Sequence, residues 1–264
     1  MTTRESMRIN GAVALVLAKR ALRQALRRPQ FLAPLVIFPS LMLAVNTGGA
    51  SRATQLPGFP HVHGFLDFEL AGALIQSTML AGVSGGIALA LDFELGFIDR
   101  LFAAPISRFT IVAGRLAAVA IMGIGVGIWF VAVGLIFGAH FQGGPLGVFI
   151  LLVLACASAA AFGTLGQALA IGAGRASVVQ GIFPLVFVIL FLSSAFFPHG
   201  LLQEPAKTIA HLNPLSLIAD GMRGPVVDGV KATYIVKALS GIAIVAGFGC
   251  VLTALTLRRR VRTG

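Results

Sequence analysis

A stretch of 59 residues without any Asp, Glu, Lys or Arg runs from residue 116 to residue 174. Charged side chains make up about a quarter of a typical soluble protein, so this stretch indicates a chain that lies in hydrocarbon. A transmembrane helix needs about 20 mainly apolar residues, and the stretch is long enough for two. The composition agrees, because 57% of the residues are hydrophobic and 11% are charged, and the mean hydropathy is +0.95. The sequence therefore predicts an integral membrane protein.

Six apolar runs in the sequence are long enough to cross a bilayer as helices. Their residues do not alternate between apolar and polar, as the strands of a membrane barrel would. Helices are then the way in which the backbone can satisfy its own hydrogen bonds in lipid. The predicted fold is an all-α polytopic membrane protein with one transmembrane domain over residues 1–264. The predicted spans are residues 31–47, 70–91, 116–139, 146–173, 177–197 and 238–257, with kinks expected at Pro34, Pro39 and Pro184.

A basic amphipathic helix is predicted over residues 13–28, before the first span. It is expected to lie in the headgroup layer of the cytoplasmic leaflet, and Pro29 is expected to end it. A solvated basic tail attracted to anionic lipid is the alternative, which the apolar stripe of the helix disfavours. The apolar face consists of Leu15, Ala18, Leu22 and Leu26, and the basic face of Lys19, Arg20, Arg23 and Arg27.

The distribution of basic residues predicts the orientation of the chain. Six spans place both termini on one side, together with 15 of the 20 Lys and Arg residues. Four lie on the other side, and Lys237 lies at the entrance of a span. The positive-inside rule therefore predicts a multi-pass protein of the cell membrane with both termini in the cytoplasm. The net charge of +11 reflects this asymmetry, and we expect no nucleic-acid binding, because no aromatic residues are interleaved with the Arg residues.

The sequence carries no strong motif for chemistry. It contains no GxxxxGK[ST] loop for ATP phosphates. GVSG at residues 82–85 matches the GxSG of intramembrane serine proteases, but no His lies in the middle of a span to act as its base. His61 and His63 are candidate metal ligands, although a Pro- and Gly-rich loop gives them no fixed geometry. We therefore expect this chain to have no catalytic site, metal or bound cofactor of its own.

A short charged segment at residues 92–115 joins the second predicted span to the third. Its first acidic residues, Asp92 and Glu94, are expected to mark the inner boundary of the second span, as Glu69 marks the outer one. Between residues 94 and 105 charged side chains accompany apolar ones, which predicts a short helix on the membrane surface. An ordinary solvated loop is the alternative. The apolar anchors of this predicted helix are Leu95, Phe97, Ile98, Leu101 and Phe102.

Residues 94–108, ELGFIDRLFAAPISR, followed by GR at 114–115, resemble the cytoplasmic loop of ABC-2 type transporter permeases, especially those of the daunorubicin-resistance branch. SSAFFP at 193–198 and HLNPLS at 211–216 are similar to the outer segment before the last span in that family. With the N-terminal amphipathic helix and the six spans, the resemblance covers nearly the whole chain. One departure is LLQEP at residues 201–205, where family members often have a Pro-aromatic pair before the Asn-Pro.

The resemblance implies a permease subunit that pairs with a second copy or a homologous permease, and with two cytoplasmic ABC ATPase subunits. ATP and Mg²⁺ are then bound by the ATPase subunits. The exported substrate is expected to be hydrophobic or amphipathic, such as a drug, a lipid or a polyketide. The family carries a coupling helix at the position of residues 94–105, docked in a groove of the ATPase. The residues expected to contact the ATPase or to define this helix are Glu94, Gly96, Phe97, Asp99, Arg100, Leu101, Phe102, Pro105 and Arg108.

Two further regions follow from the resemblance. The family has re-entrant helices on the outer side at the position of residues 198–233, where Pro198, Asn213, Pro214 and Arg223 lie. The substrate path is expected at a dimer interface between the first and fifth spans, and ordinary lipid-facing Phe residues are the alternative there. The Phe residues of that expected path are Phe31, Phe38, Phe183, Phe187 and Phe191.

A secondary transporter that no ATPase drives is the alternative function. Such a transporter is expected to carry ionisable residues inside its spans or a clear internal repeat. Neither feature is evident in the sequence. A membrane enzyme would need convergent catalytic groups, which the positions of the histidines disfavour.

Overall fold

The computed structural model describes the backbone of residues 3–103 and 107–263, and within them all side chains except those of residues 3–9, 29–31, 99, 102–103, 108, 183 and 260–263. The described ranges contain α-helices and one 3₁₀ turn (Ser51–Gln55) and no strand, which confirms the predicted all-α fold. The helices are α1 (Thr3–Leu26), α2 (Pro29–Gly49), α3 (Phe65–Glu94), α4 (Phe97–Ala103), α5 (Arg108–Ile136), α6 (Gly144–Ala173), α7 (Ala176–Gly181), α8 (Phe183–Phe191), α9 (Ala206–Leu212), α10 (Pro214–Val227) and α11 (Ala232–Thr263).

Five helices in the described part of the chain are long and apolar enough to cross a membrane, namely α2, α3, α5, α6 and α11. The fifth predicted span, residues 177–197, is not one helix. It is divided into α7 and α8 at Ile182, and α8 ends at Phe191. Pro184 lies in the first turn of α8, where its missing N–H costs nothing. The remaining residues, 192–197, fold back into the bundle as a turn.

The prolines of the N-terminal region act differently from the expectation. Pro29 does not end α1, which already stops at Leu26; it is the first residue of α2, a position that proline favours. Helix α2 continues through Pro34 and Pro39. Pro39 has no N–H for the carbonyl of Leu35, and the Ser77 hydroxyl of α3 donates to that carbonyl instead, at 2.5 Å. A neighbouring helix thus satisfies the backbone group that proline leaves free.

Helix α3 is the centre of the bundle. In the most apolar 18-residue stretch of α3, 78% is buried within the protein, against 17–50% in the corresponding stretches of the other four long helices. Its closest neighbour is α6, and the two backbones touch where glycines face each other. A methyl group placed on Gly86 would lie 2.5 Å from the carbonyl oxygen of Gly166. Small residues at this crossing let the helices approach closely, which is the main source of helix association in lipid.

The bundle has two ends with different side-chain chemistry. We call one the α4 end; it brings α4 together with α1, the last turns of α3 and α6, and the start of α5. An apolar cluster holds it together, formed by Leu17, Ile87, Leu89, Ala90, Phe93, Ile98, Ile111, Ala170, Ile171, Ala176 and Val179. We call the opposite end the α10 end; it contains the 3₁₀ turn, the start of α3, and α9 and α10. A smaller cluster of Phe59, Phe65 and Phe68 lies there.

The contact between α3 and α6 makes a direct prediction. Gly86→Ala should lower the stability of the purified protein by about 1–3 kcal/mol, because the added methyl group meets only backbone atoms of Gly166. The matched control is Gly125→Ala in α5, where nothing lies within 4 Å of an added methyl group. That substitution should raise stability by about 0.5–1 kcal/mol through helix propensity. Thermal unfolding in detergent measures both, and equal shifts in the two variants would contradict the predicted backbone contact.

Candidate functional site

The segment between α3 and α5 forms the candidate site. Helix α3 ends at Glu94, and Gly96 then adopts a positive φ of 65°, which glycine reaches without strain. The N–H of Gly96 donates to the carbonyl of Phe93 at 2.9 Å. Helix α4 starts at the next residue, Phe97. A surface helix therefore exists in the predicted segment, but its helical part begins after Gly96, so that Glu94 belongs to α3.

Helix α4 is anchored in the bundle by its apolar side. Ile98 is its deepest residue, 1% exposed within the cluster of the α4 end. Phe97 and Leu101 pack against the same cluster and are partly buried. Leu95 was expected to be an anchor, but 68% of it is exposed, because the turn at Gly96 directs it away from the cluster.

The other residues predicted to act in this segment fall into three groups. Arg100 is exposed, and its side chain makes no ion pair or hydrogen bond within the described part of the chain. Glu94 is exposed as well, yet its Oε1 accepts a hydrogen bond of 2.8 Å from the backbone N–H of Ala176, the first residue of α7. This bond joins the end of α3 to the start of α7. The side chains of Asp99, Phe102, Pro105 and Arg108 lie outside the described residues.

A buried ion cluster lies directly beneath α4. Asp92 is fully buried in the last turn of α3 and accepts hydrogen bonds from Arg115 of α5 and Arg20 of α1. The Arg20 Nη1 lies 3.1 Å from the Asp92 Oδ2. The Arg20 guanidinium also covers the ring of Phe97 in α4, with 3.6 Å between its central carbon and the ring centre. We call Asp92, Arg115, Arg20 and Phe97 the Asp92 cluster; it links α1, α3, α4 and α5.

The Asp92 cluster corrects two expectations. Asp92 does not mark a solvated boundary, because it is buried. Arg20 is not a free cation of the basic face: its guanidinium reaches inward to Asp92, while 40% of its side chain stays exposed. A carboxylate taken out of water needs such partners to compensate its lost hydration. The sequence signal for this pairing was weak, since Arg20 is 72 residues away from Asp92.

Phe residues of the expected substrate path make contacts within this chain. Phe38 of α2 and Phe187 of α8 meet edge to face, with ring centres 5.2 Å apart, so the first and fifth predicted spans do contact each other. Phe191 lies beside Phe196, with ring centres 5.0 Å apart. The side chains of Phe31 and Phe183 lie outside the described residues.

An apolar cavity of about 490 Å³ lies elsewhere, between α3, α6, α8 and α11. Met79 and Phe162 form its inner wall, and Ile189 and Phe248 its outer wall. Phe38, Phe187 and Phe191, the residues of the expected path whose side chains are described, do not line this cavity. The aromatic contact and the cavity are therefore separate features of the molecule.

Asn213 joins two helix ends at the α10 end. Its side-chain oxygen accepts a 3.0 Å hydrogen bond from the N–H of Leu215 and caps the start of α10. Its amide group donates to the carbonyl oxygens of Ile189, at 2.8 Å, and Leu192, at 3.2 Å, at the end of α8. Pro214, the first residue of α10, needs no partner for its nitrogen. One side chain thus supplies the partners that the shortened α8 and the following helix both need.

Arg223 is the second organiser of the α10 end. Its guanidinium donates to the carbonyls of Phe68, Ser194 and Ala195, and pairs with Asp220 at 2.9 Å. The buried Arg223 therefore holds the start of α3, the turn after α8 and α10 in one place. Pro198, also buried, accepts a hydrogen bond from the N–H of Leu201. 

Glu69 is a further buried polar residue near the α10 end. It was expected to mark the outer boundary of a span, but it is fully buried and accepts a 2.7 Å hydrogen bond from the Asn46 amide of α2. Glu69, Asp92 and Arg115 show that ionisable side chains do lie inside the bundle, close to its two ends. Sequence reasoning missed them because each falls next to the end of an apolar run.

The sequence is similar to one known family and to individual transport proteins. The sequence profile of the family described as ABC-2 type transporter matches residues 13–226. The chain is 27% identical over 209 residues to ycf38 of Porphyra purpurea, named a transport permease, covering 78% of this chain and 71% of that protein. It is 25% identical over 234 residues to the daunorubicin resistance ABC transporter permease protein DrrB1 of Streptomyces coeruleorubidus, covering 87% of this chain and 79% of that protein.

The Asp92 cluster yields a stability prediction. Asp92→Asn should lower the free energy of unfolding by about 3–5 kcal/mol, because it leaves two guanidinium groups without their buried counter-charge. Adding Arg115→Met should restore part of the loss, since an apolar side chain needs no counter-charge. Glu204→Gln, at an exposed acid of the α10 end, is the control and should change stability by less than about 0.5 kcal/mol. Thermal unfolding of the purified variants measures the order, and an Asp92→Asn protein as stable as the control would refute the role of the cluster.

Two substitutions of Asn213 separate its two capping functions. Asn213→Asp keeps the acceptor for Leu215 but removes the donor to α8, whereas Asn213→Ala removes both. We expect Asn213→Ala to cost about 1–2 kcal/mol and Asn213→Asp to differ from it, because the cap of α10 survives in Asp. Chemical denaturation in detergent gives both values. If Ala and Asp behaved alike, the cap of α10 would contribute nothing.

Proposed function

Since this chain belongs to the ABC-2 type transporter family, we propose that it is the membrane-spanning permease subunit of an ATP-driven exporter. A separate cytoplasmic ABC ATPase hydrolyses the ATP and binds the nucleotide and Mg²⁺. The full exporter contains two such ATPase subunits and two permeases, the second being another copy of this chain or a homologue. The similarity to DrrB1, a daunorubicin resistance permease of an ABC transporter, supports the assignment to a transporter of this kind.

The observation that carries the proposal is the construction of α4. Ile98 and Phe97 fasten this short helix to the bundle, while Arg100 is exposed on its surface. The turn at Gly96 joins it directly to α3. A helix that is fixed on one side and exposed on the other is suited to receive a partner protein and to pass on its movement. Arg100 and Glu94 supply polar contacts to the ATPase, and Phe97 and Leu101 hold the helix in place.

In the proposed mechanism the ATPase subunits act on the permease through α4. Nucleotide binding closes the two ATPase subunits and shifts α4. The Asp92 cluster passes the shift to α1, α3 and α5, because these helices share one buried carboxylate. The permease pair then changes between an inward-open and an outward-open arrangement, and ATP supplies energy through different binding to the two states.

The α4 end faces the cytoplasm in this proposal, and both termini lie there. The support is the excess of Lys and Arg on that side, with 15 of the 20 basic residues. The protein is placed in the cell membrane. The α10 end, with Asn213 and Arg223, then faces outward.

The proposed substrate is a hydrophobic or amphipathic molecule, such as a drug, a lipid or a polyketide. Its path follows the contact of α2 and α8 at Phe38 and Phe187, which lies on the apolar surface that a second permease would cover. The exposed fractions of Phe38 (37%) and Phe191 (48%) are consistent with a surface available to a partner or substrate. The name of DrrB1 supports a drug-like substrate class.

Arg100→Glu tests the coupling role. The reversed charge should abolish ATP-dependent export and substrate-stimulated ATPase activity, because an exposed contact to the ATPase becomes repulsive. Membrane insertion should be unchanged, since the Arg100 side chain is exposed and makes no ion pair or hydrogen bond within the described part of the chain. Lys207→Glu, an exposed cation of the α10 end, is the matched control and should transport normally. Normal transport by Arg100→Glu would remove α4 from the mechanism.

Co-purification tests the proposal at a coarser level. The tagged chain, solubilised from the membranes of its own host in mild detergent, should bring down a P-loop ATPase that mass spectrometry identifies. Arg100→Glu should bring down less of it, whereas Lys207→Glu should not. A wild-type chain that transports without any ATPase would favour the secondary transporter instead.

A further inference from the structure

The outward face of α1 carries three cations that the mechanism does not use. Lys19, Arg23 and Arg27 follow one another at intervals of four residues, so they lie on one stripe of the helix. We call these three residues the basic stripe. All three are exposed, and none of their side chains makes an ion pair or hydrogen bond within the described part of the chain. Leu22 and Leu26 lie between them and line the same shallow groove.

Arg20 provides the contrast within the same helix. It follows Lys19 directly in the chain, but its side chain points toward the bundle and reaches the buried carboxylate of Asp92. The cation that faces the bundle is therefore neutralised by the protein. The basic stripe, on the outward side, has no such counter-charge among the described residues, so its charge must be balanced from outside the chain.

The inward face of α1 shows how deep this part of the helix lies. A small cavity separates it from α3 and α5, and is lined by Ala21, Gln24, Ala25, Gly85, Ala88, Ala118 and Met122, among others. The cavity extends along α5 from Arg115 itself to Met122, seven residues further inward, and along α3 from Ala88 to Ser84, four to eight residues inward from Asp92. At 1.5 Å per residue it reaches about 10–12 Å toward the middle of the bundle. The second half of α1 thus lies beside the spans, and not beyond their ends.

The pairing of α2 with α3 gives the same depth independently. Asn46 and Glu69 are joined by a hydrogen bond, and the two helices run in opposite directions from there. Counting 17 residues along each helix places Pro29, the start of α2, opposite residue 86 of α3. That level is about 9 Å inward from Asp92. The end of α1 therefore reaches the boundary between headgroups and hydrocarbon.

Cations at this boundary need anionic partners. Lys and Arg side chains extend toward the headgroups while their aliphatic parts remain in apolar surroundings. A cytoplasmic ATPase would contact residues on the cytoplasmic side of Asp92, such as Arg100 and Leu95. It would not contact residues that lie nearer to the middle of the membrane. The groove combines three cations with two leucines, which matches a phosphate group attached to an acyl chain.

We propose that the basic stripe, with Leu22 and Leu26, is a binding site for an anionic phospholipid. The lipid phosphate accepts hydrogen bonds from the three cations, and the upper part of an acyl chain packs on the leucines. The bound lipid holds α1 against α5, next to the Asp92 cluster. This inference concerns the permease chain alone and does not depend on ATP-driven export.

Lipid titration of the purified chain tests the site. Phosphatidylglycerol or phosphatidylcholine is added to the protein in neutral detergent, and bound lipid is measured by native mass spectrometry together with the melting temperature. The wild type should retain phosphatidylglycerol in preference to phosphatidylcholine and melt at a higher temperature with it. In Lys19→Gln/Arg23→Gln/Arg27→Gln the affinity for phosphatidylglycerol should fall about tenfold or more, because each cation near an anionic lipid contributes about fivefold.

The matched control removes three cations from the α10 end, with Lys207→Gln/Lys231→Gln/Lys237→Gln. It should bind phosphatidylglycerol as the wild type does. Unchanged binding in the basic-stripe variant, or equal retention of both lipids by the wild type, would overturn the proposal. Soluble glycerol phosphate should not compete at equal concentration; if it did, the site would recognise free phosphate and the lipid assignment would be wrong.

A second measurement covers the case in which the triple variant does not fold. Phosphatidylglycerol bound to the wild type should be released as salt is raised, because contacts of the cations with the phosphate are screened. Arg23→Lys, which keeps the charge, should bind close to wild type. Binding that is insensitive to salt would refute the basic stripe as the site without any triple variant.

Discussion

The carboxylate of Asp92 is the interaction on which the α4 end depends. It is buried at the end of the central helix, and two guanidinium groups from separate helices converge on it. A carboxylate loses its hydration on burial, and the two charged partners at hydrogen-bond distance compensate that loss. Arg20 and Arg115 therefore cannot move away from it independently. Because Arg20 also covers Phe97, the position of α4 is tied to the same carboxylate.

The two ends of the bundle are held by directional bonds, and the middle by close packing. At the α10 end, Asn213 and Arg223 supply partners for backbone groups that the broken helix and the turn after it leave open. In the middle, glycines bring α3 and α6 into backbone contact. Lipid tails are as apolar as the side chains, so no hydrophobic effect drives the helices together. Shape and small residues then determine which helices meet. An apolar cavity of about 490 Å³ remains beside this packed middle.

Much of the site could be predicted from local sequence, and part of it could not. The turn at Gly96 followed by a short anchored helix was visible, since glycine and the apolar positions after it are neighbours in the chain. The contact of Phe38 with Phe187 joins the first and fifth predicted spans within one chain, whereas the expectation concerned an interface between two permeases, which stays a prediction. The burial of Asp92 was missed, because a charged residue at the end of an apolar run looks the same whether it faces water or an arginine. The break at Ile182 was expected only as a kink, although Pro184 stands next to it.

The sequence by itself determined that the chain is a bundle of membrane helices, because long runs without charge must satisfy their backbone groups within each helix, and this is a local property. It also indicated a short surface helix between the second and third predicted spans, although that helix starts at Phe97 and not at Glu94. Only the tertiary structure decided which charges are neutralised inside the protein and which are left outside. Lys19 and Arg20 are neighbours in the chain, yet only Arg20 reaches Asp92, which is 72 residues away. The direction of a side chain around a helix has meaning only once the neighbouring helices are in place.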